Sequence, residues 1–408
     1  MLDYVADQTM LFLENMPKSK RKKKGQFFTS VETARFMADM FDLSECKKHI
    51  SVLDPGAGTG ILSIAFLERI MSMEPNISVS LTCYETDPEV LPVLKSNLQY
   101  AKGEYPDQIE YRVLEEDYIL SQSDDFDENL LANEEPLKYD YVIANPPYLR
   151  VMRDHPAAMS MPKVVHGAPN LYFLFAAMSL FNLKNEAEMV YIIPRSWTSG
   201  AYFKAFREYL LTAGKIEQIH LFVSRDKVFN AEEVLQETMI IKVRRSNCKP
   251  EEVLITSSNS CNDFADITRL MVPYDAVVSG EDLYVYLPTS DEEIEVIKKI
   301  DELFTMNLRK NASRFITKKR NAMLIDAENF TYIFDNPISD TDENINRVKT
   351  ALLIIQKDFE AKIGFSPIVV RPIPLFSMGF FAIEPTTQKR LIKAYGNCLE
   401  KINSEKNI

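Results

Sequence analysis

Over the first 245 residues, apolar runs of strand length alternate with longer segments of helical period. Ser51–Asp54, Ser78–Tyr84, Ile109–Leu114, Tyr141–Ala144, Ala187–Pro194, Ile216–Val223 and Gln236–Val243 read as strands. Val31–Leu43, Ile61–Met73, Pro88–Ala101, Pro169–Leu183 and Tyr202–Ala213 read as the helices between them. Such alternation predicts a mostly parallel sheet with helices packed on its faces. Tyr141–Ala144 is apolar without a two-residue period, which suits a parallel strand buried on both sides. Residues 1–17 predict a short amphipathic helix, and 122–136 an exposed acidic insertion. Beyond Arg245 the alternation stops. Short strands at 253–256 and 283–287 and a helix over 290–304 lead into a mixture of strands and helices. The pattern predicts an α/β domain of seven strands over 1–245 and a smaller α+β region over 246–408.

Composition narrows the class. The chain has 408 residues, 46% hydrophobic and 26% charged, as in ordinary globular proteins of two domains. No apolar run approaches the length of a membrane span, and the N-terminus has neither a basic start nor a small-residue cleavage site. Five cysteines are scattered without close pairing, as expected of reduced thiols in a cytoplasmic protein. His155 and His166 lack metal-ligand spacing, so no metal is expected. The net charge of −12 argues against a nucleic-acid partner until its distribution is considered. Lys18–Lys24 is a dense basic run, and 305–324 carries Arg309, Lys310, Arg314, Lys318, Lys319 and Arg320 without an acid. Residues 115–135 carry acids without a base.

The chemistry gathers at strand ends. Tyr141–Ala144 stops at Asn145-Pro146-Pro147-Tyr148, because two prolines lack the N–H groups a sheet ladder needs. An amide, a rigid turn with its carbonyls and an aromatic ring are thereby held at the edge where open α/β sheets bind ligands. These groups suit a planar nitrogen-bearing substrate. Asp54 leads into Pro55-Gly56-Ala57-Gly58-Thr59-Gly60 and a helix. Strand, glycine turn and helix let the backbone approach a ligand and offer free N–H groups to a carboxylate. Glu85, at the end of the second strand, suits hydrogen bonds to ribose hydroxyls. Asp117 and Tyr118 follow the third strand. Residues 149–167 read as a mobile loop over the site. Thr29 falls at a loop-to-helix junction after Gly25-Gln26-Phe27-Phe28, and Phe229 sits between the sixth and seventh strands.

In that order the motifs resemble the gamma-class, amino-group DNA methyltransferases of restriction–modification systems, over residues 20–245. The resemblance implies a Rossmann-like, seven-stranded class I fold that uses S-adenosylmethionine. It implies N6 methylation of an adenine flipped out of double-stranded DNA. By the same resemblance Thr29, Asp54, Gly56, Gly58, Glu85, Asp117 and Tyr118 would hold the cofactor. Asn145 and the Pro146 carbonyl would accept the amine hydrogens, with Pro147 fixing the turn. Tyr148 and Phe229 would stack on the base. Residues 246–408 would serve target recognition, although they do not match the expected pattern for such a region. A restriction endonuclease could accompany the enzyme without touching it. An RNA base methyltransferase, a glutamine side-chain methyltransferase and a non-catalytic specificity subunit are the alternatives. Gly25–Thr29 and the long region after 245 count against the glutamine enzyme, and the intact acid and amide positions against the non-catalytic one.

Overall fold

A computed structural model describes residues 1–16, 25, 28–44, 47–74, 76–126, 138–167, 169–199, 201–222, 238–258, 264–279, 283–291, 294, 316–319 and 322–325. Two compact units divide the chain, Met1–Thr289 and Ser290–Ile408.

The first unit is built on one sheet. Its strands are β1 (His49–Asp54), β2 (Ser78–Tyr84), β3 (Ile109–Leu114), β4 (Tyr139–Ala144), β5 (Leu183–Pro194), β6 (Gly214–Phe222), β7 (Thr238–Arg245), β8 (Glu252–Ser258) and β9 (Thr268–Pro273). Their spatial order is β3-β2-β1-β4-β5-β7-β6-β8-β9. From β3 to β5 neighbours are parallel. Strand β7 inserts antiparallel between β5 and β6. The first seven strands thus form the α/β, Rossmann-like arrangement expected of a class I methyltransferase. The count is corrected from seven to nine, because β8 pairs parallel with β6 and β9 antiparallel with β8. Among the described residues no helix separates these last strands in the way that marked the earlier ones, so the sequence pattern did not reveal that they continue the sheet.

Among the described residues six helices of nine residues or more accompany the sheet: α1 (Leu2–Asn15), α2 (Val31–Asp39), α3 (Ile61–Met73), α4 (Leu91–Glu104), α5 (Leu171–Asn182) and α6 (Lys204–Ala213). Ser30 caps α2, its hydroxyl accepting the Thr33 N–H at 3.2 Å. Asn170 caps α5 through Tyr172 N at 3.3 Å. Helix α5 is buried almost all round, as its continuous apolar sequence requires. Chain order reverses between β1 and β4, each of which reaches the same sheet edge. That reversal creates the crevice in which such sheets hold ligands.

At the opposite edge the sheet buries a charge network. Glu188, 1% exposed, meets Lys242 at 2.9 Å and also pairs with Arg244. Glu217 meets Arg244 at 2.6 Å and Lys242 at 3.3 Å. The Asp42 N–H donates to the second Glu188 oxygen at 2.9 Å. Each buried charge therefore has a partner of opposite sign.

Residues 149–167, expected as a mobile loop, are tied at the neck. Val151 N–H donates to Pro169 O at 3.0 Å and Leu171 N–H to Leu149 O at 2.9 Å. Arg153 donates to the carbonyls of Gly167 and His166, both at 3.0 Å. The expected strand at 283–287 is part of a small hairpin, Val278–Ser279 with Tyr284–Val285. In the second unit Ile316–Lys319 pairs antiparallel with Ala322–Ile325. Most of the helix expected over 290–304, and the elements expected from 332 onward, lie outside the described residues. Among the described residues no helix is long and apolar enough to cross a membrane.

Candidate active site

Strand β1 ends in Asp54, 1% exposed. Its Oδ2 accepts the Ser63 hydroxyl at 2.7 Å, from the first turn of α3. Burial pushes the carboxyl up to about 7, the nearby Glu85 adds to the rise, and hydrogen bonds from Ser63 and Gly56 oppose it. The loop that follows needs its glycines. Gly58 and Gly60 have φ of +55° and +85°, and a Cβ at Gly60 would meet Leu94 Cδ1 at 2.9 Å. The Gly58 N–H donates to Glu85 Oε2 at 2.9 Å, and Glu85 Oε1 accepts the Thr86 and Asp87 N–H groups, both at 2.8 Å. Burial raises the Glu85 carboxyl despite these donors. The fold thus brings Asp54, Gly56, Gly58 and Glu85 together around one turn.

Asp117 and Tyr118 part company. Asp117 is exposed and caps the turn Tyr118–Ser121, accepting the Leu120 N–H at 2.9 Å. Tyr118 is 2% exposed, and its hydroxyl donates to Asn182 Oδ1 at 2.8 Å. Its ring packs against Tyr84 and Phe175, at centroid distances of 5.0 and 5.5 Å. A phenol at this depth needs a polar partner. Helix α5 supplies one, and the ring lies in the protein interior.

The Asn145–Tyr148 turn leaves β4 beside β1. The Asn145 Nδ2 donates to Thr29 Oγ1 at 3.1 Å. Thr29 is 5% exposed and immediately precedes the capped start of α2. The Tyr148 N–H donates to Gly25 O at 3.1 Å. Gly25 has φ of +66°, and a Cβ there would meet the Tyr148 carbonyl carbon at 3.1 Å and Leu149 Cβ at 3.2 Å. The Tyr148 hydroxyl donates to Ile192 O of β5 at 2.9 Å, and its ring meets Tyr172 edge-on at 6.2 Å. Burial pushes this hydroxyl well up. Pro146 is buried and Pro147 half-buried. Phe229, Gln26, Phe27 and Lys18–Lys24 lie outside the described residues.

Two contacts have no counterpart among the residues singled out from the sequence. Thr9 of α1 donates its hydroxyl to Thr59 Oγ1 at 2.8 Å in a buried position of the glycine loop. Phe28 Cε1 lies 3.8 Å from where a Gly58 Cβ would project, and its ring sits 6.3 Å from that of Phe12. Phe28 falls within the Gly25–Thr29 motif and could have been named from it. Thr9 carries no signal beyond its place in an amphipathic helix.

Residues 62–229, which include the Asn145–Tyr148 turn, match the Eco57I restriction-modification methylase family. Two curated relatives carry methyltransferase names. The Type II methyltransferase M.PstI of Providencia stuartii is 33% identical over 68% of this chain and 54% of its own length. The Type II methyltransferase M.BsuBI of Bacillus subtilis is 33% identical over 72% of this chain and 58% of its own. The chain therefore spans rather more than half the length of these two relatives. Among solved structures, the M protein of the type I restriction enzyme EcoKI aligns with a TM-score of 0.42 and 13% identity, over 93% of this chain and 72% of that one.

Proposed function

We propose that this chain transfers a methyl group from S-adenosylmethionine to the N6 amino group of an adenine extruded from double-stranded DNA, as the modification enzyme of a restriction–modification system. The observation that carries the reading is the junction of three strand ends. The amide of Asn145, hydrogen-bonded to Thr29, lies at the end of β4, and the glycine loop with Glu85 lies at the ends of β1 and β2.

The donor set suits the cofactor. The start of α3 offers backbone N–H groups to a carboxylate, and the glycine turn before it lets a ligand come close. Glu85 gives a carboxylate to ribose hydroxyls, and Asp117 stands at the neighbouring strand end. The space over Gly56 supports the fit, since among the described residues a Cβ there would meet only Phe175 Cε1, at 3.6 Å. S-adenosylmethionine supplies a methyl group already activated by its sulfonium.

The chain's own work is to position and polarise the amine. An exocyclic adenine nitrogen is a poor nucleophile because its lone pair is delocalised into the ring. Asn145 Oδ1 and the Pro146 carbonyl accept its two hydrogens, draw the nitrogen towards tetrahedral geometry and localise the lone pair. The proton can leave after transfer, so no strong base is required. Extruding the base costs roughly a few kcal/mol. Stacking on an aromatic ring returns about 1–3 kcal/mol. Tyr148, held through its hydroxyl, is the described ring suited to that role. Target choice falls to the region after 245, whose first two strands continue the sheet.

Asn145→Ala is the test. With tritiated S-adenosylmethionine and duplex DNA lacking N6-methyladenine, transfer should fall by at least about a thousandfold, because one preorganised polar group contributes about 10²–10³ and orientation adds to it. Cofactor affinity should stay within a few-fold. A variant that still methylates adenine at a near-normal rate would sink the mechanism.

A further inference from the structure

Glycine permits the turn after β1 but does not select it. Gly58 and Gly60 take φ of +55° and +85°. Residues without a Cβ have the most backbone freedom to lose, so the turn's shape has to be held from outside. Thr59 stands between the two glycines and supplies a side chain that other elements can hold. It is 1% exposed, turned into the protein.

We infer that Thr9 of α1 is a positioning residue for this turn, holding Thr59 so that the glycine loop keeps the shape that receives the cofactor. The inference rests on the S-adenosylmethionine reading above. The Thr9 and Thr59 hydroxyls meet at 2.8 Å in a buried position, 50 residues apart in sequence. Asn97 of α4, fully buried, donates its Nδ2 to the Thr59 carbonyl at 2.8 Å. One helix thus holds Thr59 by its side chain and another by its main chain. The two helices brace each other, since Tyr4 of α1 stacks on Tyr100 of α4 at a centroid distance of 4.1 Å. Along α1 the buried residues are Leu2, Val5, Ala6 and Thr9, a seam of helical period whose last member is polar. A buried hydroxyl needs a partner, and Thr9 finds it in the glycine loop. Three residues on, the Phe12 ring lies 6.3 Å from that of Phe28, whose Cε1 is 3.8 Å from where a Gly58 Cβ would project. The Gly58 N–H donates to Glu85 Oε2 at 2.9 Å. A shift of the turn would therefore also disturb the carboxylate proposed to hold the ribose.

Removing the Thr9 hydroxyl leaves that of Thr59 buried without this partner. In the empty protein the turn can relax until the hydroxyl meets water, and the cofactor must then draw it back, so the cost falls on binding. Valine keeps the shape of threonine without the hydroxyl, and serine keeps the hydroxyl. Calorimetry of the full chain with S-adenosylhomocysteine reads the effect. Thr9→Val should weaken the dissociation constant about 5- to 20-fold, and Thr9→Ser should stay within about threefold of wild type. Thr59→Val reads the same contact from the loop side should Thr9→Val fail to fold. It and the double variant should match Thr9→Val, because both hydroxyls serve one contact. Thr256→Val deletes a buried hydroxyl that meets His220 Nδ1 at 2.9 Å, between β6 and β8. This control for general loss of stability should leave the affinity unchanged. Wild-type affinity in Thr9→Val overturns the inference. So does equal weakening by Thr256→Val, which would make the effect one of overall stability. Additive losses in the double variant, or a loss in Thr9→Ser as large as in Thr9→Val, overturn it as well. A wild-type chain that binds no S-adenosylhomocysteine would instead overturn the cofactor reading itself.

Discussion

Asp54 and Tyr148 illustrate how burial gives ordinary residues specific states. Asp54 sits at a strand end with its carboxyl pushed up to about 7 by desolvation. The unfolded chain releases this proton near pH 4, whereas the folded chain keeps it until about pH 7. Stability therefore falls as pH rises through that window, by on the order of 2 kcal/mol between pH 5 and pH 7 from this residue. Asp54→Asn should abolish that contribution. Urea unfolding of both proteins at pH 5 and pH 7 should show the variant gaining on the wild type as pH rises. A constant difference would mean that Asp54 is already ionised in the fold. Residue types at this scale were readable in the sequence. Asn145, the glycines and Glu85 declared their chemistry through strand-end positions. The direction of a side chain was not readable. Tyr118 follows Asp117 at a strand end, yet its ring points inward because Asn182, far along the chain, offers its hydroxyl a partner.

Strands β5, β6 and β7 carry the buried charge network, and the network belongs to the sheet rather than to any one of them. Truncating Glu188 would leave Lys242, 9% exposed, with only part of its compensation from Glu217. Glu188→Ala should cost about 3 kcal/mol, the lower end for breaking a buried pair, and pairing it with Lys242→Met should recover most of that loss. Urea denaturation of the single and double variants measures both. A single-variant loss below about 1 kcal/mol would show that Glu217 and water compensate fully. The strands themselves were legible where helices punctuated them. Strands β8 and β9 were not assigned to the sheet, because their pairing with β6 and with each other is a non-local event and no crossover helix announced it. The loop after Tyr148 is closed at its neck by main-chain bonds between residues some twenty positions apart, which no local pattern announced.

Across the whole molecule, a net charge of −12 must be reconciled with the polyanionic substrate proposed above. Attraction has to come from local basic clusters, of which Lys18–Lys24 adjoins the segment that grips the active-site turn. Affinity for duplex DNA should fall linearly with salt on a logarithmic scale, with a slope of about 0.9 per phosphate contacted. Replacing Lys20, Arg21 and Lys22 by alanine should lower that slope by about 3, one contact each. Fluorescence anisotropy with labelled duplex between 50 and 200 mM salt, on the order of the range where such losses are large, reads it directly. An unchanged slope would place the phosphate contacts elsewhere.

Local sequence alone determined the α/β alternation, the glycine turn after β1 and the Asn145-Pro-Pro-Tyr148 stop after β4. These depend on periodicity, on prolines without N–H groups and on glycines free to take positive φ. Tertiary structure decided which of these pieces meet: Thr29 with Asn145, Gly25 with Tyr148, and Thr9 with Thr59. Each contact spans 50 residues or more. No local pattern encodes such a pairing. It follows from the order in which the strands assemble and from the faces their helices must bury.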